Sequence, residues 1–213
     1  MLKFEKKAKA QGFKLVIGVD EAGRGPLAGP VVAAAVLLRT TKFLSPINDS
    51  KKLSPSLREK AFHEIEGKSY VGIGIMSESV IDRCNILNAT FIAMQRAVGQ
   101  LMFKIPQKIH ISDHVCLLID GNQFKSSLPY AYQTIIKGDE KVLSIMCASI
   151  VAKVTRDRIL NIYDHIFPHY GFKQHKGYAT QEHRQRLKKF GPCAIHRRSF
   201  ELGAALLAAR ESN

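Results

Sequence analysis

One stretch decides the predicted fold: Leu15-Val16-Ile17-Gly18-Val19-Asp20-Glu21-Ala22-Gly23-Arg24-Gly25-Pro26. A short apolar run rich in β-branched residues and bounded by Gly and Pro predicts a buried strand rather than a helix. Two adjacent carboxylates follow, and burying them is costly unless a cation compensates their charge. Because side chains alternate between faces along a strand, we expect Asp20 at the strand end and Glu21 already in the loop. The two acids either hold a metal ion or face only water, and these residues alone leave both alternatives open.

The size and charge of the chain indicate its class of partner. It has 213 residues, 46% of them hydrophobic, which suits one globular domain. Its 32 Lys and Arg outnumber its 18 Asp and Glu, for a net charge of +14. This balance favours a polyanion, with nucleic acid as the first candidate and a membrane surface as the alternative. No apolar run is long enough to span a bilayer, which weakens the membrane alternative.

The N-terminus and the cysteines indicate a location. The first residues contain no apolar core of a signal peptide, and the four cysteines are widely spaced with no CxxC pair. This spacing argues against a zinc site and for thiols kept reduced, so we expect a cytoplasmic protein. The scattered aromatic residues argue against a surface on which single-stranded bases stack.

Apolar periodicity and turn residues predict five strands and several helices. After the first strand, the others are expected at 31–38, 70–76, 115–120 and 132–136. Helices are expected at 55–67, at 79–103 with a break near Asn85, and at 143–166, 180–190 and 201–210. Glycines on one face of the third strand indicate that something packs closely there. The pattern predicts an α/β fold with a mixed five-stranded sheet flanked by helices.

Carboxylates recur at strand ends. Asp20 and Glu21 are followed by Asp120 and Asp139, each near a glycine at the end of an apolar run. The carboxyl ends of parallel strands meet at one edge of a sheet, so these acids are expected to gather there. An all-carboxylate set favours Mg²⁺ or Mn²⁺, and two such ions would assist attack on a phosphodiester. For Asp120 alone, a turn-initiating Asp before Gly is the common alternative.

Basic and aromatic residues supply candidate substrate contacts. The pairs Lys51/Lys52, Lys153/Arg156 and His175/Lys176 are candidate phosphate contacts, although each is also typical of a solvated face. Tyr178 is either a core residue or a ring presented to a sugar or base. Of the competing acids, Asp49 is expected to organise a turn and Asp157 to form surface ion pairs.

The motifs then resemble one known family. They are Asp20-Glu21-Ala22-Gly23-Arg24-Gly25, Asp49-Ser50-Lys51-Lys52-Leu53, Asp120-Gly121-Asn122, Lys137-Gly138-Asp139, Ala148-Ser149-Ile150-Val151-Ala152-Lys153-Val154, Lys176-Gly177-Tyr178 and Gly191-Pro192 with Ile195-His196-Arg197. In this order, from about residue 15 to residue 200, they resemble ribonuclease HII, the bacterial type 2 ribonuclease H. The related ribonuclease HIII differs in usually having Thr in place of Arg24, and it carries an extra N-terminal domain for which the residues before the first strand are too few.

The resemblance implies an activity and a set of residue roles. It implies a ribonuclease H fold in a single domain, 1–213, with a helical C-terminal region over about residues 180–213. Such an enzyme cleaves RNA in RNA/DNA hybrids and at single ribonucleotides in duplex DNA, leaving 3′-hydroxyl and 5′-phosphate ends. The implied metal-binding catalytic acids are Asp20, Glu21, Asp120 and Asp139, with two Mn²⁺ or Mg²⁺ ions. The implied substrate contacts are Gly23, Arg24 and Gly25 at the ribose 2′-hydroxyl, Tyr178 at the next sugar, and Ser50, Lys51, Lys52, Lys153 and Arg156.

The resemblance also implies a setting, and two other classes remain open. Its partners would be hybrids and ribonucleotide-containing duplex DNA, its roles ribonucleotide excision repair and DNA replication, and its state a monomer without a membrane. A contact with a replication clamp is left open. One rival is a binding protein that has lost catalysis. The other is a phosphotransferase or a DNA-only nuclease using the same metals.

Overall fold

The structure, a computed structural model, describes residues 2–106 and 114–200. In those ranges the chain forms five strands: β1 (Leu15–Ala22), β2 (Val31–Leu38), β3 (Ser69–Met76), β4 (Val115–Asp120) and β5 (Ala131–Ile135). The same ranges contain six α-helices: α1 (Lys3–Ala10), α2 (Pro55–Lys68), α3 (Glu78–Lys104), α4 (Leu143–Ile166), α5 (Phe172–His175) and α6 (Gln181–Phe190). A 3₁₀ turn spans Gly138–Glu140.

The strands form one mixed sheet in the order β3-β2-β1-β4-β5. β2 is antiparallel to both β1 and β3, whereas β4 is parallel to β1 and β5 is parallel to β4. The carboxyl ends of β1, β4 and β5 therefore lie along the same edge of the sheet. The prediction of a mixed five-stranded sheet flanked by helices is confirmed.

Both faces of the sheet are covered, as the apolar strands require. Ile17 and Val19 of β1 belong to a core that includes much of α3, whereas Val16 packs in a cluster with Ile145 of α4. α2 and α4 also cover β2, through contacts in a further cluster. Side-chain alternation thus sends successive residues of β1 into different cores, and the central strand is buried on both sides.

Glycines on β3 let α3 approach closely. A Cβ atom at Gly72 would lie 2.0 Å from the carbonyl oxygen of Ala97, and one at Gly74 would lie 2.0 Å from that of Ala93. No side chain fits at either position, because the neighbouring atoms belong to the helix backbone. The expected close packing on this face is confirmed.

One predicted boundary at the acids is wrong. Glu21 was expected in the loop, but β1 continues to Ala22 and pairs Glu21 with Ala33 of β2. Hydrogen bonding to the antiparallel neighbour β2 extends β1 past its apolar run. The sequence of β1 alone does not show this, because the extension depends on how the two strands pair. Asp20 is buried, whereas Glu21 and Ala22 are half-buried, so burial decreases at the end of the strand.

Several helix features are confirmed by local geometry. Ser54 caps α2 by accepting a hydrogen bond from the backbone N–H of Leu57, and Asn85 interrupts α3 with φ 63°. α2 ends at Lys68, one residue beyond the predicted Gly67, and neither α1 nor α5 was predicted. The helix expected at 201–210 lies outside the described residues. In the described ranges, no helix combines the length and the apolarity needed to cross a membrane.

The loop at residues 23–30, between β1 and β2, packs against segments from the C-terminal third of the chain. Ala28 forms an isolated antiparallel bridge with His196 and shares an apolar cluster with Leu160, Phe172 and Ile195. The backbone N–H of Leu27 donates to the carbonyl of Gly177 at 2.8 Å. The loop that follows the first acids is therefore held against segments from the other end of the sequence.

Candidate active site

Sheet topology brings three of the predicted acids together. Asp20 follows Val19, which pairs with Ile119 of the parallel neighbour β4, and Asp120 ends that strand. Asp139 lies in the 3₁₀ turn after β5. Each of these three side chains offers an oxygen, and the three oxygens lie within 4.8 Å of one another. The expected gathering of strand-end acids at one edge of the sheet is confirmed for Asp20, Asp120 and Asp139.

Glu21 borders this cluster without joining it. Its Oε1 accepts a hydrogen bond from Nη1 of Arg24 at 3.3 Å, so its carboxylate leans toward the loop. Arg24 itself is half-exposed at its side chain. Glu21 is therefore outside the group of three clustered oxygens and is paired with Arg24, in the loop at residues 23–30.

Backbone donors orient the clustered carboxylates. Asp20 Oδ1 accepts from the backbone N–H of Glu21 at 2.7 Å. Asp120 Oδ1 accepts from the backbone N–H of Gly138 at 2.6 Å and from that of Asp139 at 3.4 Å. Asp120 thereby fixes the 3₁₀ turn that carries Asp139. The orientations of Asp20 and Asp120 are thus set by main-chain donors, which leaves their other carboxylate oxygens available to a ligand.

Burial and mutual repulsion raise the pKa of the acids. Burial raises the pKa of Asp20 well above its ordinary value of 3.8, and the charges of Glu21 and Asp120 raise it further. Burial likewise raises the pKa of Asp120, with a contribution from Asp139. For Glu21, burial raises the pKa while the neighbouring Arg24 opposes the shift. The cluster therefore carries negative charge that the surrounding protein leaves incompletely compensated.

This donor set fits a hard divalent cation. The ligand atoms are carboxylate oxygens, which Mg²⁺ and Mn²⁺ prefer. The raised pKa values show that a positive ion would relieve the repulsion, since the charged forms are what such an ion binds. Asp20, Asp120 and Asp139 are the residues that could hold it, with Glu21 next to them.

Lysines and serines border the acids on one side. Lys51 Nζ lies 3.3 Å from Asp139 Oδ2, and Lys52 Nζ lies 2.9 Å from Glu140 Oε1. Burial lowers the pKa of Lys51, but the Asp139 carboxylate outweighs this and raises it overall. Ser50 Oγ lies 2.9 Å from Oγ of Ser149 on α4, a residue that sequence reasoning did not single out.

One cavity collects most of the predicted residues. It has a volume of about 220 Å³. Its lining includes the following residues named from the sequence: Asp20, Glu21, Gly23, Arg24, Gly25, Ser50, Lys51, Asp120, Lys153, Arg156 and Tyr178. Asp139 and Lys52 do not line the cavity. Lys51 does line it and is the residue that contacts Asp139. Tyr178 is 47% exposed, so its ring is a surface of the cavity rather than part of a core.

The expected turn and ion-pair roles of two other acids are confirmed. Asp49 Oδ1 accepts from the backbone N–H of Lys51 at 2.9 Å and so organises the turn that presents the lysines. Asp157 pairs with Lys153 at 2.6 Å on α4. Lys153 therefore reaches the cavity with its ammonium group already paired.

Arg156 differs from the other basic residues. It is 1% exposed, and its guanidinium nitrogens donate to the carbonyls of Pro30, Lys176 and Ala28 at 2.9–3.0 Å. The role of Arg156 as a substrate contact stays a prediction, and the geometry gives the residue a structural task as well. Arg197 makes similar bonds, and sequence reasoning noted it only as part of a motif.

Comparisons with known proteins agree with this geometry. The family model for Ribonuclease HII matches residues 17–202. A Ribonuclease HII from Acetivibrio thermocellus is 52% identical over 198 residues, 92% of this chain and 73% of that protein. One from Ruminiclostridium cellulolyticum is 52% identical over 201 residues, 94% of this chain and 75% of that protein. The crystal structure of ribonuclease H2 from Pyrococcus horikoshii OT3 has a TM-score of 0.69 at 25% identity, over 93% of this chain and 100% of that one. Since both sequence and fold match over nearly the whole length, the chain belongs to the Ribonuclease HII family of type 2 ribonucleases H, which degrade RNA in RNA/DNA hybrids.

Proposed function

We propose that the protein, besides cleaving RNA in hybrids, incises on the 5′ side of a single ribonucleotide in duplex DNA and leaves 3′-hydroxyl and 5′-phosphate ends. The observation that carries this proposal is a single cavity shared by the acids Asp20 and Asp120, the loop at Gly23 and the ring of Tyr178. Acids alone would suit any phosphodiester hydrolysis. The loop and the ring beside them offer a means of testing the sugar next to the cleaved bond.

Sugar recognition would rest on the loop and the ring together. Gly23 and Gly25 present backbone without side chains, so their main-chain groups can approach a 2′-hydroxyl. This hydroxyl is what distinguishes RNA from DNA at one position. The exposed ring of Tyr178 would pack on the sugar on the 3′ side, where a deoxyribose has no hydroxyl to obstruct it. A ribonucleotide followed on its 3′ side by a deoxyribonucleotide would thus satisfy both elements at once.

Cleavage would depend on the four acids. Two Mg²⁺ or Mn²⁺ ions, bound by Asp20, Glu21, Asp120 and Asp139, would supply an activated water and neutralise the leaving oxygen. The backbone N–H groups of Glu21 and Gly138 hold Asp20 and Asp120 in orientation. Substrate phosphates would be held by the lysines next to the acids, of which Lys51 is the nearest. These contacts carry no sequence information, so we propose cleavage without base specificity.

A cleavage assay with three substrates tests the proposal. They are a duplex with one ribonucleotide, the same duplex in all-DNA form, and an RNA/DNA hybrid, each with Mg²⁺ or Mn²⁺ and with EDTA as the blank. We expect cleavage of the first and third, with the product ends described above, and none of the second. Cleavage of the all-DNA duplex would support a DNA-only nuclease. Binding without any cleavage would support the binding protein.

The proposal extends to the setting of the enzyme. We infer one catalytic domain over residues 1–213, with a helical C-terminal region from about residue 180, acting as a monomer. The four cysteines form no disulfide, which agrees with a reducing cytoplasm. Ribonucleotide excision repair and DNA replication are the processes that would need this activity, and contact with a replication clamp stays open.

A further inference from the structure

Two buried guanidinium groups hold the loop at residues 23–30. Arg197 is 1% exposed and donates to three loop carbonyls. Its Nη2 lies 2.6 Å from the carbonyl oxygen of Gly23, its Nη1 lies 3.0 Å from that of Arg24, and its Nε lies 2.9 Å from that of Gly29. The flat, forked guanidinium thus fixes the direction of the main chain at both ends of the loop.

Arg156 joins the same loop to the segment that carries Tyr178. Its Nε donates to the carbonyl of Pro30 and its Nη2 to that of Ala28, both at 3.0 Å. Its Nη1 donates to the carbonyl of Lys176 at 2.9 Å. One side chain therefore ties the loop to the adjacent Lys176–Tyr178 segment, and both contribute to the lining of the cavity.

The loop glycines leave room for this arginine because they lack a Cβ atom, and their positive φ values also disfavour any other residue. Gly23 has φ +97°, and a Cβ atom there would lie 2.1 Å from Nε of Arg156. Gly29 has φ +88°, and its Cβ atom would lie 3.2 Å from Nη2 of the same residue. Gly23 is thus required by a contact inside the protein as well as by any approach of substrate.

Burying two guanidinium groups costs free energy, so the arrangement calls for an explanation. Burial, together with the nearby charge of Arg156, lowers the pKa of Arg197 from its ordinary value to about 9, while Glu78 opposes the shift. The groups are satisfied by neutral main-chain carbonyls of the loop. Apolar side chains would fill the same space at lower electrostatic cost, but they could not direct carbonyl groups.

We propose that Arg156 and Arg197 are positioning residues for ribose recognition: they hold the Gly23–Gly25 backbone and the Tyr178 segment in one fixed relation in the lining of the cavity. The inference rests on the proposed function, in which these two elements read the sugar. A loop that moved by about 1 Å would lose the fit to a 2′-hydroxyl, and misplacement of that size can cost about 100-fold in rate.

Arg197→Lys and Arg156→Lys test the inference, because lysine keeps the charge but lacks the fork. The matched control is Arg186→Lys, since Arg186 also donates to a main-chain carbonyl, that of His169, away from the loop. Three measurements are made on each variant: kcat/KM on the single-ribonucleotide duplex, inhibition by the all-DNA duplex, and hydrogen exchange of the amides of Leu27 and Gly29. In the wild type these amides bond to the carbonyls of Gly177 and Ile195.

For both cavity variants we expect kcat/KM to fall by about 100-fold while the all-DNA duplex inhibits within about twofold of wild type. The loop amides should exchange at least about tenfold faster, with β1 amides unchanged, which separates local loosening from global destabilisation. Arg186→Lys should match wild type. If both variants kept wild-type kcat/KM and loop exchange, the positioning role would be overturned and the proposed function would stand. A wild type that did not cleave the single-ribonucleotide duplex would overturn the proposed function and the role with it.

Discussion

The Nε2 atoms of His183 and His196 lie 3.1 Å apart, buried between α6 and the segment that follows it. His183 Nδ1 lies 2.8 Å from the carbonyl of Tyr178 and must carry a proton to donate to it. His183 Nε2 then accepts from Nε2 of His196, whose Nδ1 accepts from the backbone N–H of Cys193 at 2.9 Å. This chain of bonds is complete when both rings are neutral, and a proton on His183 Nε2 or His196 Nδ1 breaks it.

We therefore expect the free energy of unfolding to fall as the pH falls from 6.5 towards 4. Burial lowers the pKa of both rings from 6.5 to about 4 in the folded protein. In that window the unfolded chain binds protons that the folded chain excludes, so lowering the pH favours unfolding. Denaturant unfolding at about pH 7.5 and about pH 5.5 measures the effect above the range in which most carboxylates titrate. The free energy of unfolding of His196→Gln should depend less on pH than that of the wild type. The control His63→Gln, at an exposed histidine, should show the same pH dependence as the wild type. An unchanged pH dependence in His196→Gln would contradict the expectation.

Asp120→Asn should keep the fold and duplex binding but lose cleavage by several orders of magnitude. The amide oxygen can still accept from Gly138, so the turn that carries Asp139 is preserved, whereas the negative charge at the cluster is lost. Circular dichroism, duplex affinity and kcat together check this. Asp164→Asn is the control, because Asp164 lies at the end of α4 and bonds the backbone of Lys173. A cleavage rate within a few-fold of wild type would mean that Asp120 is not a ligand.

Affinity for duplex and hybrid should fall steeply with salt, with log K linear in log salt concentration. The net charge of +14 and the exposed lysines beside the acids motivate this expectation. Lys52→Gln should reduce the slope by about one unit if its ammonium group contacts a phosphate. Fluorescence anisotropy over a salt series gives the slope, and an affinity insensitive to salt would count against phosphate contacts.

Tyr178→Ala should lose more activity on the single-ribonucleotide duplex than on a long hybrid. Packing of the exposed ring on a sugar, taken as comparable to base stacking, is worth about 1–3 kcal/mol, or roughly ten- to hundred-fold. A long hybrid offers alternative registers that soften the loss. Values of kcat/KM on both substrates test this, with Tyr178→Phe as the variant that keeps the ring. Equal losses on both would remove the support for junction recognition.

Two glycine substitutions should change stability in opposite directions. Gly72→Ala should destabilise by about 1–3 kcal/mol or more, because its Cβ would lie 2.0 Å from the backbone oxygen of Ala97. Gly67→Ala, in α2 with no atom within 4 Å of the new methyl, should stabilise by up to about 1 kcal/mol. Thermal unfolding of both variants measures the difference. A neutral Gly72→Ala would mean that α3 shifts away from β3 at little cost.

The features predicted well from the sequence are those encoded locally. The apolar run at 31–38 matches β2, and the Ser54–Pro55 signal starts α2. The acids before Gly121 and near Gly138 mark strand ends at the edge of the sheet where the carboxylates gather. The continuation of β1 through Glu21 was not predictable, since it depends on pairing with β2. Likewise, nothing near Arg156 or Arg197 in sequence shows that their partners in the loop at residues 23–30 are carbonyls 126 to 174 residues away. Buried arginines look the same as solvated ones in a one-dimensional pattern.

The bond from Arg197 to the carbonyl of Gly23 spans 174 residues of sequence, and it has a consequence for synthesis. Strands β1 and β4 can pair, and bring their acids together, once residue 120 has left the ribosome, but the loop beside them obtains its final support only when residue 197 follows. Contacts of such separation form late in folding. A growing chain would therefore assemble its charged edge well before the loop is supported, so any sugar selectivity that the loop confers would be acquired in the last stage of folding.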